Sequence, residues 1–356
     1  MDTLTGRRIV LIGGAGFIGH HLALALAEKG AHVEVIDSLQ VNNLLTFASQ
    51  GNSSPQRELY YRFVNDRLAL LHEAKIPVHI QDAREYHALS HLLSQIKPQV
   101  IIQLAAVAHA GTSNKDPHST FDHSLRTLEN ALDYSRGLIE HFIYFSSSLV
   151  YGHFKSGEVT EETYCEPLGI YGALKLAGEK LVIAYNQVFD LPYTIVRPSA
   201  LYGERCVSRR VGQIFIENAM QGVDINITGD GADRLDFTYI ADLTQGITRV
   251  IENKNSINQT FNLTYGESRS IAEMAEILKT YFPKVKINYL PKDNLIPDRG
   301  TLNIDKARKL LDFHPSHPLE KGFARYIEWY QSIGSGSAAP ISKESSPVQT
   351  LSREVE

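Results

Sequence analysis

The chain has 356 residues, of which 43% are hydrophobic and 21% charged, with a formal net charge of −5. It is long enough to bury a substantial core as one domain or two unequal lobes, and its mild acidity gives no reason to expect nucleic acid or anionic membranes as partners. Two cysteines, Cys165 and Cys206, exclude a disulfide framework and a cysteine-based zinc site, so no metal is expected.

In chain order, a strand is predicted over 8–12, and it runs straight into glycines. That apolar run is strand-sized, not a signal peptide, and no stretch approaches the ~20 apolar residues of a membrane span. A cytoplasmic location is therefore expected. A helix over 18–29 and a strand over 32–36 follow. Residues 41–76 hold a polar loop at 49–55 and an extra helix over 58–73, read equally as a lid or a packing insertion. Strands at 78–80, 100–104, 142–146 and 193–197 then alternate with helices at 86–96, 119–136 and 172–186. Alternation of this kind predicts an α/β fold, a Rossmann-type doubly wound parallel sheet built from βαβ units. Beyond residue 198 the pattern loosens. Helices at 212–221, 241–253 and 270–281 and strands at 224–228 and 259–263 predict a smaller C-terminal α/β lobe, with some later segments returning to the sheet. Residues 1–198 are thus assigned to a dinucleotide-binding domain and 199–333 mainly to the lobe. The Gly-, Ser- and Pro-rich stretch 334–356 is expected to be a disordered tail.

Each chemically informative motif follows a predicted strand, where open α/β sheets bind ligands. The first is Gly13-Gly-Ala-Gly-Phe-Ile-Gly19. Gly13 would permit a tight turn, Gly16 would let the backbone approach a pyrophosphate, and Gly19 would allow close packing of the helix. Phe17 and Ile18 open that helix, whose N-terminal N–H groups would face phosphates. Asp37 ends the second strand at the position that accepts hydrogen bonds from an adenosine ribose, which favours NAD over NADP. Asp82 and Ala83 after the third strand could flank the adenine. Leu104, Ala105 and Ala106 after the fourth supply small residues along the cofactor's path.

Two further segments carry the chemistry: Phe145-Ser-Ser-Ser-Leu-Val-Tyr-Gly152 and Tyr171-Gly-Ala-Leu-Lys175. Tyr171 and Lys175, four residues apart, share a helix face. A phenol is a poor base at neutral pH unless positive charge stabilises its phenolate, and Lys175, together with an oxidised nicotinamide, is the expected source. Ser147 would hold the substrate oxygen whose proton is in flight. Tyr151 and Lys155 repeat the spacing, but Gly152 and polar neighbours argue against a helix there, so Tyr151 is read as structural.

With Arg197-Pro-Ser-Ala-Leu-Tyr-Gly203 and Gly229-Asp-Gly…Asp236-Phe-Thr-Tyr-Ile-Ala-Asp-Leu243 added in order, the chain resembles the extended short-chain dehydrogenase/reductase superfamily over about residues 7–330. Within it, the motifs are similar to those of NAD-dependent nucleotide-sugar epimerases and dehydratases, of the UDP-glucose 4-epimerase type. The resemblance implies that Ser147, Tyr171 and Lys175 form the catalytic triad. It also implies that NAD is the cofactor, that the lobe holds a nucleotide sugar, and that the protein is a homodimer. Dehydratases of the family carry an acidic pair after the serine; here those positions are Ser148 and Leu149. Neither transfers protons usefully at neutral pH. An epimerase acting through a transient 4-keto sugar is therefore favoured over a 4,6-dehydratase or reductase, or over a non-catalytic NAD-binding scaffold.

The chain departs from the family pattern at Ile12, Ala200 and Leu235, which stand where threonine, asparagine and arginine are usual. Arg234 lies one place before Leu235, and Arg299 stands where the family often has a diphosphate-binding arginine. The cluster Arg205, Arg209 and Arg210 could meet an anionic sugar or phosphates, or could be a solvated helix start. The substrate-binding set expected is Ser147, Ser148, His109, Arg209, Arg234 and Arg299.

Overall fold

The computed structural model describes residues 4–48, 56–107, 110–291 and 297–334. The expected loop at 49–55, His109 and the tail from 335 onward lie outside the described residues. Seven strands form the main sheet: β1 (Arg8–Ile12), β2 (His32–Asp37), β3 (Val78–Ile80), β4 (Val100–Gln103), β5 (His141–Phe145), β6 (Tyr193–Arg197) and β7 (Gln259–Asn262). Their spatial order is β7-β6-β5-β4-β1-β2-β3, parallel throughout. The order reverses between β1 and β4, and there the crevice for a dinucleotide opens.

The sheet is apolar on both faces because helices cover both. The principal helices are α1 (Phe17–Glu28), α2 (Arg57–Glu73), α3 (Tyr86–Ile96), α4 (Thr127–Ser135) and α5 (Gly169–Phe189). They are followed by α6 (Val211–Met220), α7 (Ile240–Glu252), α8 (Ile271–Tyr281) and α9 (Leu319–Gly334). Ile9 and Leu11 of β1 join a core with Leu22 and Leu26 of α1, Phe63 of α2 and Ile247 of α7. Val10 and Ile12 point the other way, to Leu89 and Leu93 of α3, Leu128 and Leu132 of α4, and Val182 of α5. This strict alternation fixes the register, since a slip of one residue would exchange the two faces. The first core continues into the C-terminal part of the chain through Phe215 of α6, Met274 of α8 and Phe323 and Tyr326 of α9. No helix among the described residues is long and apolar enough to cross a membrane.

Three elements differ from the sequence expectation. The stretch 259–263 was grouped with the lobe's strands, but Gln259–Asn262 pairs with β6 as the edge of the main sheet. The single helix expected at 119–136 is three pieces: Pro117–Phe121, a π-helical segment Asp122–Arg126, and α4. Asp116 caps the first piece by accepting from the Ser119 N–H at 3.0 Å, with Pro117 at the first helical position. At the π segment, Thr127 Oγ1 donates to the His123 carbonyl at 2.9 Å, so a side chain competes for the helix ladder. Finally, α5 starts at Gly169 and runs to Phe189, longer at both ends than 172–186. Of the 41–76 segment, the helix α2 packs into the core. Tyr60, Phe63, Val64 and Leu71 of α2 are buried in the first core, with Phe63 4.9 Å from the Trp329 ring.

Candidate active site

The turn after β1 lies against the end of β4. Gly13 has a φ of +83°, and a Cβ there would stand 2.6 Å from the Ala105 nitrogen. Any larger residue would therefore part the two strand ends that form the crevice floor. A Cβ on Gly19 would fall 2.4 Å from the Gly14 carbonyl oxygen, so this glycine serves packing of the helix on the turn. Gly16 precedes α1 and makes no side-chain cap, which leaves the first N–H groups of α1 directed at the cavity. Gly13, Gly16, Phe17, Ile18 and Gly19 all line that cavity.

Asp37 lines it as well, at the end of β2. Its carboxylate accepts from the Ala15 N–H at 3.0 Å and the Leu39 N–H at 2.8 Å, which locks the glycine turn to the β2 loop. Burial raises its pKa, while these two N–H groups and Arg67 act in the opposite direction. Asp82 and Ala83 line the same end. Asp82 is paired with Arg84 at 2.6 Å, and Arg84's hydrogen bonds hold its carboxyl below the usual range. Leu104, Ala105 and Ala106 complete the wall after β4.

Beyond β5 the chain turns at Ser147, whose Oγ accepts from the Leu149 N–H at 3.2 Å. Ser147, Tyr171 and Lys175 come together on one wall of the cavity. Burial raises the Tyr171 phenol; Arg210, the Ser147 hydroxyl and Arg299 pull it back down. The buried Lys175 ammonium donates to the Phe145 carbonyl at 2.6 Å and lies 6.0 Å from the Tyr171 ring centre. Burial lowers Lys175 to about 8, opposed by Glu179. Arg210 and Arg299 thus join Lys175 as cations around the phenol. The competing pair is elsewhere: Tyr151 is buried and donates to Asn262 Oδ1 at 2.7 Å, while Lys155 is exposed and meets Glu166.

Among the residues expected to meet substrate, Ser148 and Arg299 line the cavity beside Tyr171. Arg299 Nη2 donates to Ser148 Oγ at 2.5 Å and to Ser199 Oγ at 3.1 Å. Arg209 and Arg234 do not reach it. Arg209 is exposed, with a φ of +48°, and its neighbour Arg210 lines the cavity instead. Arg234 is spent outside, donating to Ser268 Oγ at 3.0 Å and pairing with Glu273 at 3.8 Å. His109 lies outside the described residues.

Sequence reasoning missed several lining residues, among them Arg67, His123, Thr127 and Ser199, and from the arginine cluster it chose Arg209 where Arg210 lines the cavity. Arg67 carried a readable signal. It falls in the helical stripe Tyr60, Phe63, Val64, Leu71, where a charge has no packing reason to be. Its guanidinium donates to the Arg205 carbonyl (Nε at 3.1 Å) and to the Asn42 carbonyl at 3.5 Å. Arg205 in turn donates to His20 Nε2 at 3.0 Å, and His20 Nδ1 meets the Gly16 carbonyl at 2.9 Å. The insertion helix therefore ties the glycine turn to the segment that presents Arg210.

A family model described as the NAD dependent epimerase/dehydratase family matches residues 9–264. The chain belongs to this family. A Bacillus subtilis (strain 168) protein described as an uncharacterized UDP-glucose epimerase, YtcB, is 30% identical over 92% of this chain and 99% of its own length. A dTDP-glucose 4,6-dehydratase of Xanthomonas campestris pv. campestris (strain B100) is 25% identical over 90% of this chain and 92% of its own. Among solved structures, the UDP-glucuronic acid 4-epimerase of Bacillus cereus, in complex with UDP-glucuronic acid and NAD, superposes with a TM-score of 0.80 at 28% identity. That match covers 91% of this chain and 99% of that one. Membership makes the protein an NAD-dependent enzyme of the epimerase/dehydratase kind.

The residues present fit the family's cofactor. The glycine turn leaves no side chain between the α1 N-terminus and the cavity, which suits a pyrophosphate. Asp37 keeps carboxylate lone pairs beyond the two used on N–H groups, and these suit ribose hydroxyls. Lys175 and Tyr171 stand at the far end of the same cavity, where a nicotinamide would lie.

Proposed function

We propose that the protein is an NAD-dependent epimerase of a nucleotide sugar, inverting C4 through a transient 4-keto sugar. One observation carries the choice of reaction. The carboxylates lining the described cavity are Asp37 and Asp82, both at the ends of β2 and β3, and the Ser147 end has Ser148 and Leu149. Elimination of water needs a further acid and base beside the tyrosine, whereas epimerisation needs only the proton carrier.

In this reading Ser147 holds the sugar hydroxyl and Tyr171 accepts its proton. NAD, held by the Gly13–Gly19 turn and Asp37, would supply the hydride acceptor and donor for the two half-reactions. Tyr171 then gives the proton back, so the enzyme ends as it began. Arg210 and Arg299 favour the phenolate during the step and suit the anionic diphosphate of the substrate. Residues 199–333 provide most of the sugar-nucleotide pocket, and β7 with α7 returns to the cofactor domain. A cytoplasmic homodimer serving polysaccharide synthesis completes the proposal. Val188, at 69% exposure, and the exposed Phe189 near the end of α5 offer an apolar surface for a second copy.

Anaerobic incubation with UDP-glucose, UDP-glucuronic acid and UDP-N-acetylglucosamine, without added reductant, tests this reading. A stereoisomer of unchanged mass supports it. A product lighter by one water sinks it, as does stoichiometric NADH oxidation in a parallel reaction to which NADH is added.

A further inference from the structure

Behind the candidate centre lies a buried ion pair that the proposed chemistry does not use. Glu179 follows Lys175 by one helical turn on α5, so the two side chains share a face. Its carboxylate accepts a forked pair from Arg197, Nε at 2.9 Å and Nη2 at 2.7 Å, with both side chains almost wholly buried. The Ser146 hydroxyl donates to the same carboxylate at 2.5 Å. Arg197 also donates to the Tyr151 hydroxyl at 2.9 Å and stands 4.8 Å from that ring. Glu179 thus grips the residue before Ser147 and the last residue of β6, which leads to Ser199 in the cavity.

We propose that Glu179 is a positioning residue for this centre: it fixes the Ser147 segment through Ser146 and Arg197, and supplies the negative charge that balances the buried Lys175 ammonium. The inference rests on reading Lys175 as part of the proton-handling centre. The groups facing that ammonium are few. Among the described residues they are the Tyr171 ring of α5 at 6.0 Å, the Tyr144 ring of β5 at 5.2 Å and the Phe145 carbonyl, while Glu179 acts through its charge from one turn along α5. Glu179 is the charge that supports its protonated form against burial. Arg197 meets Glu179 and not Lys175, so the guanidinium holds the carboxylate in place. A buried pair of this kind seldom adds net stability, because desolvation offsets the attraction. That leaves a functional reason for keeping it.

Glu179→Gln alone leaves Arg197 as a lone buried charge and can unfold the protein. The double variant Glu179→Gln/Arg197→Met removes both charges and avoids that fault. Lysine labelled with ¹³C at Cε, with the Lys175 signal assigned by its loss in Lys175→Met, reports the Lys175 midpoint by NMR without any turnover. The expected result is a midpoint about one pH unit or more below the wild-type value in the folded double variant. The alkaline limb of the kcat–pH profile should move down with it, and Glu179→Asp should keep both near wild type. A folded double variant with unchanged midpoint and profile would reduce Glu179 to a structural partner of Arg197 and overturn the proposal. If no nucleotide sugar is turned over by the wild type, the epimerase reading fails, and the NMR midpoint still decides this inference.

Discussion

The Lys175 ammonium donates to the Phe145 carbonyl at 2.6 Å, at the strand end that leads directly into Ser147. A buried lysine whose partner is a neutral carbonyl pays for its charge, and the sign of that cost can be tested. Burial lowers its pKa from 10.5 to about 8. Between those values the unfolded chain binds more protons than the folded one, so stability rises with pH across the window. Below about 8 the full cost is present. Lys175→Met removes a penalty on the order of 3 kcal/mol and loses one hydrogen bond worth about 1 kcal/mol. Thermal unfolding should therefore show a higher Tm for the variant at pH 7, a difference that shrinks toward pH 10.5, in a protein without turnover. A lower Tm at pH 7 would contradict this.

Arg210 and Arg209 are neighbours with opposite placements, one lining the cavity and the other exposed. Arg210→Ala should lower kcat/KM by about tenfold or more, as loss of a charge-assisted contact does. Arg209→Ala should stay within about twofold, since exposed charges contribute little. Steady-state kinetics on the two purified variants decides the matter; equal effects would mean the turn is misplaced.

Asp37 accepts two backbone N–H groups and faces the cofactor end. Asp37→Asn sets an amide N–H₂ against one of those donors. Calorimetric titration should show NAD binding weakened about tenfold or more, with discrimination against NADP reduced.

Gly178 sits on α5 where a Cβ would fall 2.2 Å from the Tyr144 hydroxyl and 2.6 Å from its Cζ. Gly178→Ala must push that ring, which lies 5.2 Å from the Lys175 ammonium. A stability loss of about 1–3 kcal/mol is expected from overpacking, with a fall in kcat larger than any change in KM. Denaturant unfolding and kinetics on the same preparation measure both.

The sheet was legible because each of its first six strands is rich in β-branched or aromatic residues. β7 was harder: Gln259-Thr-Phe-Asn262 is half polar and lies after the lobe has begun. The π segment was invisible, since its register depends on side-chain bonds from Thr127 and His123 and not on hydrophobic spacing. Local motifs pointed to the glycine turn, Asp37 and Ser147 because each is tied to a strand end, and to Tyr171 and Lys175 because their spacing puts them on one helix face. Arg209 was preferred to Arg210 because two adjacent arginines look alike in a sequence. A turn with positive φ at Arg205 and Arg209 decides which of them faces inward. Arg67 was marked as unusual by its place in the apolar stripe of α2, but which site it serves depends on tertiary packing of a distant insertion.

The central claim is that the sugar is oxidised and reduced within one site, so the hydrogen on the inverted carbon never meets solvent. Turnover in D₂O followed by NMR and mass spectrometry of the nucleotide sugar tests this most directly. The predicted product is the C4 stereoisomer with unchanged mass and no carbon-bound deuterium. Deuterium at the inverted carbon, or loss of water from the sugar, would contradict the assignment of Ser147, Tyr171 and Lys175 to epimerisation.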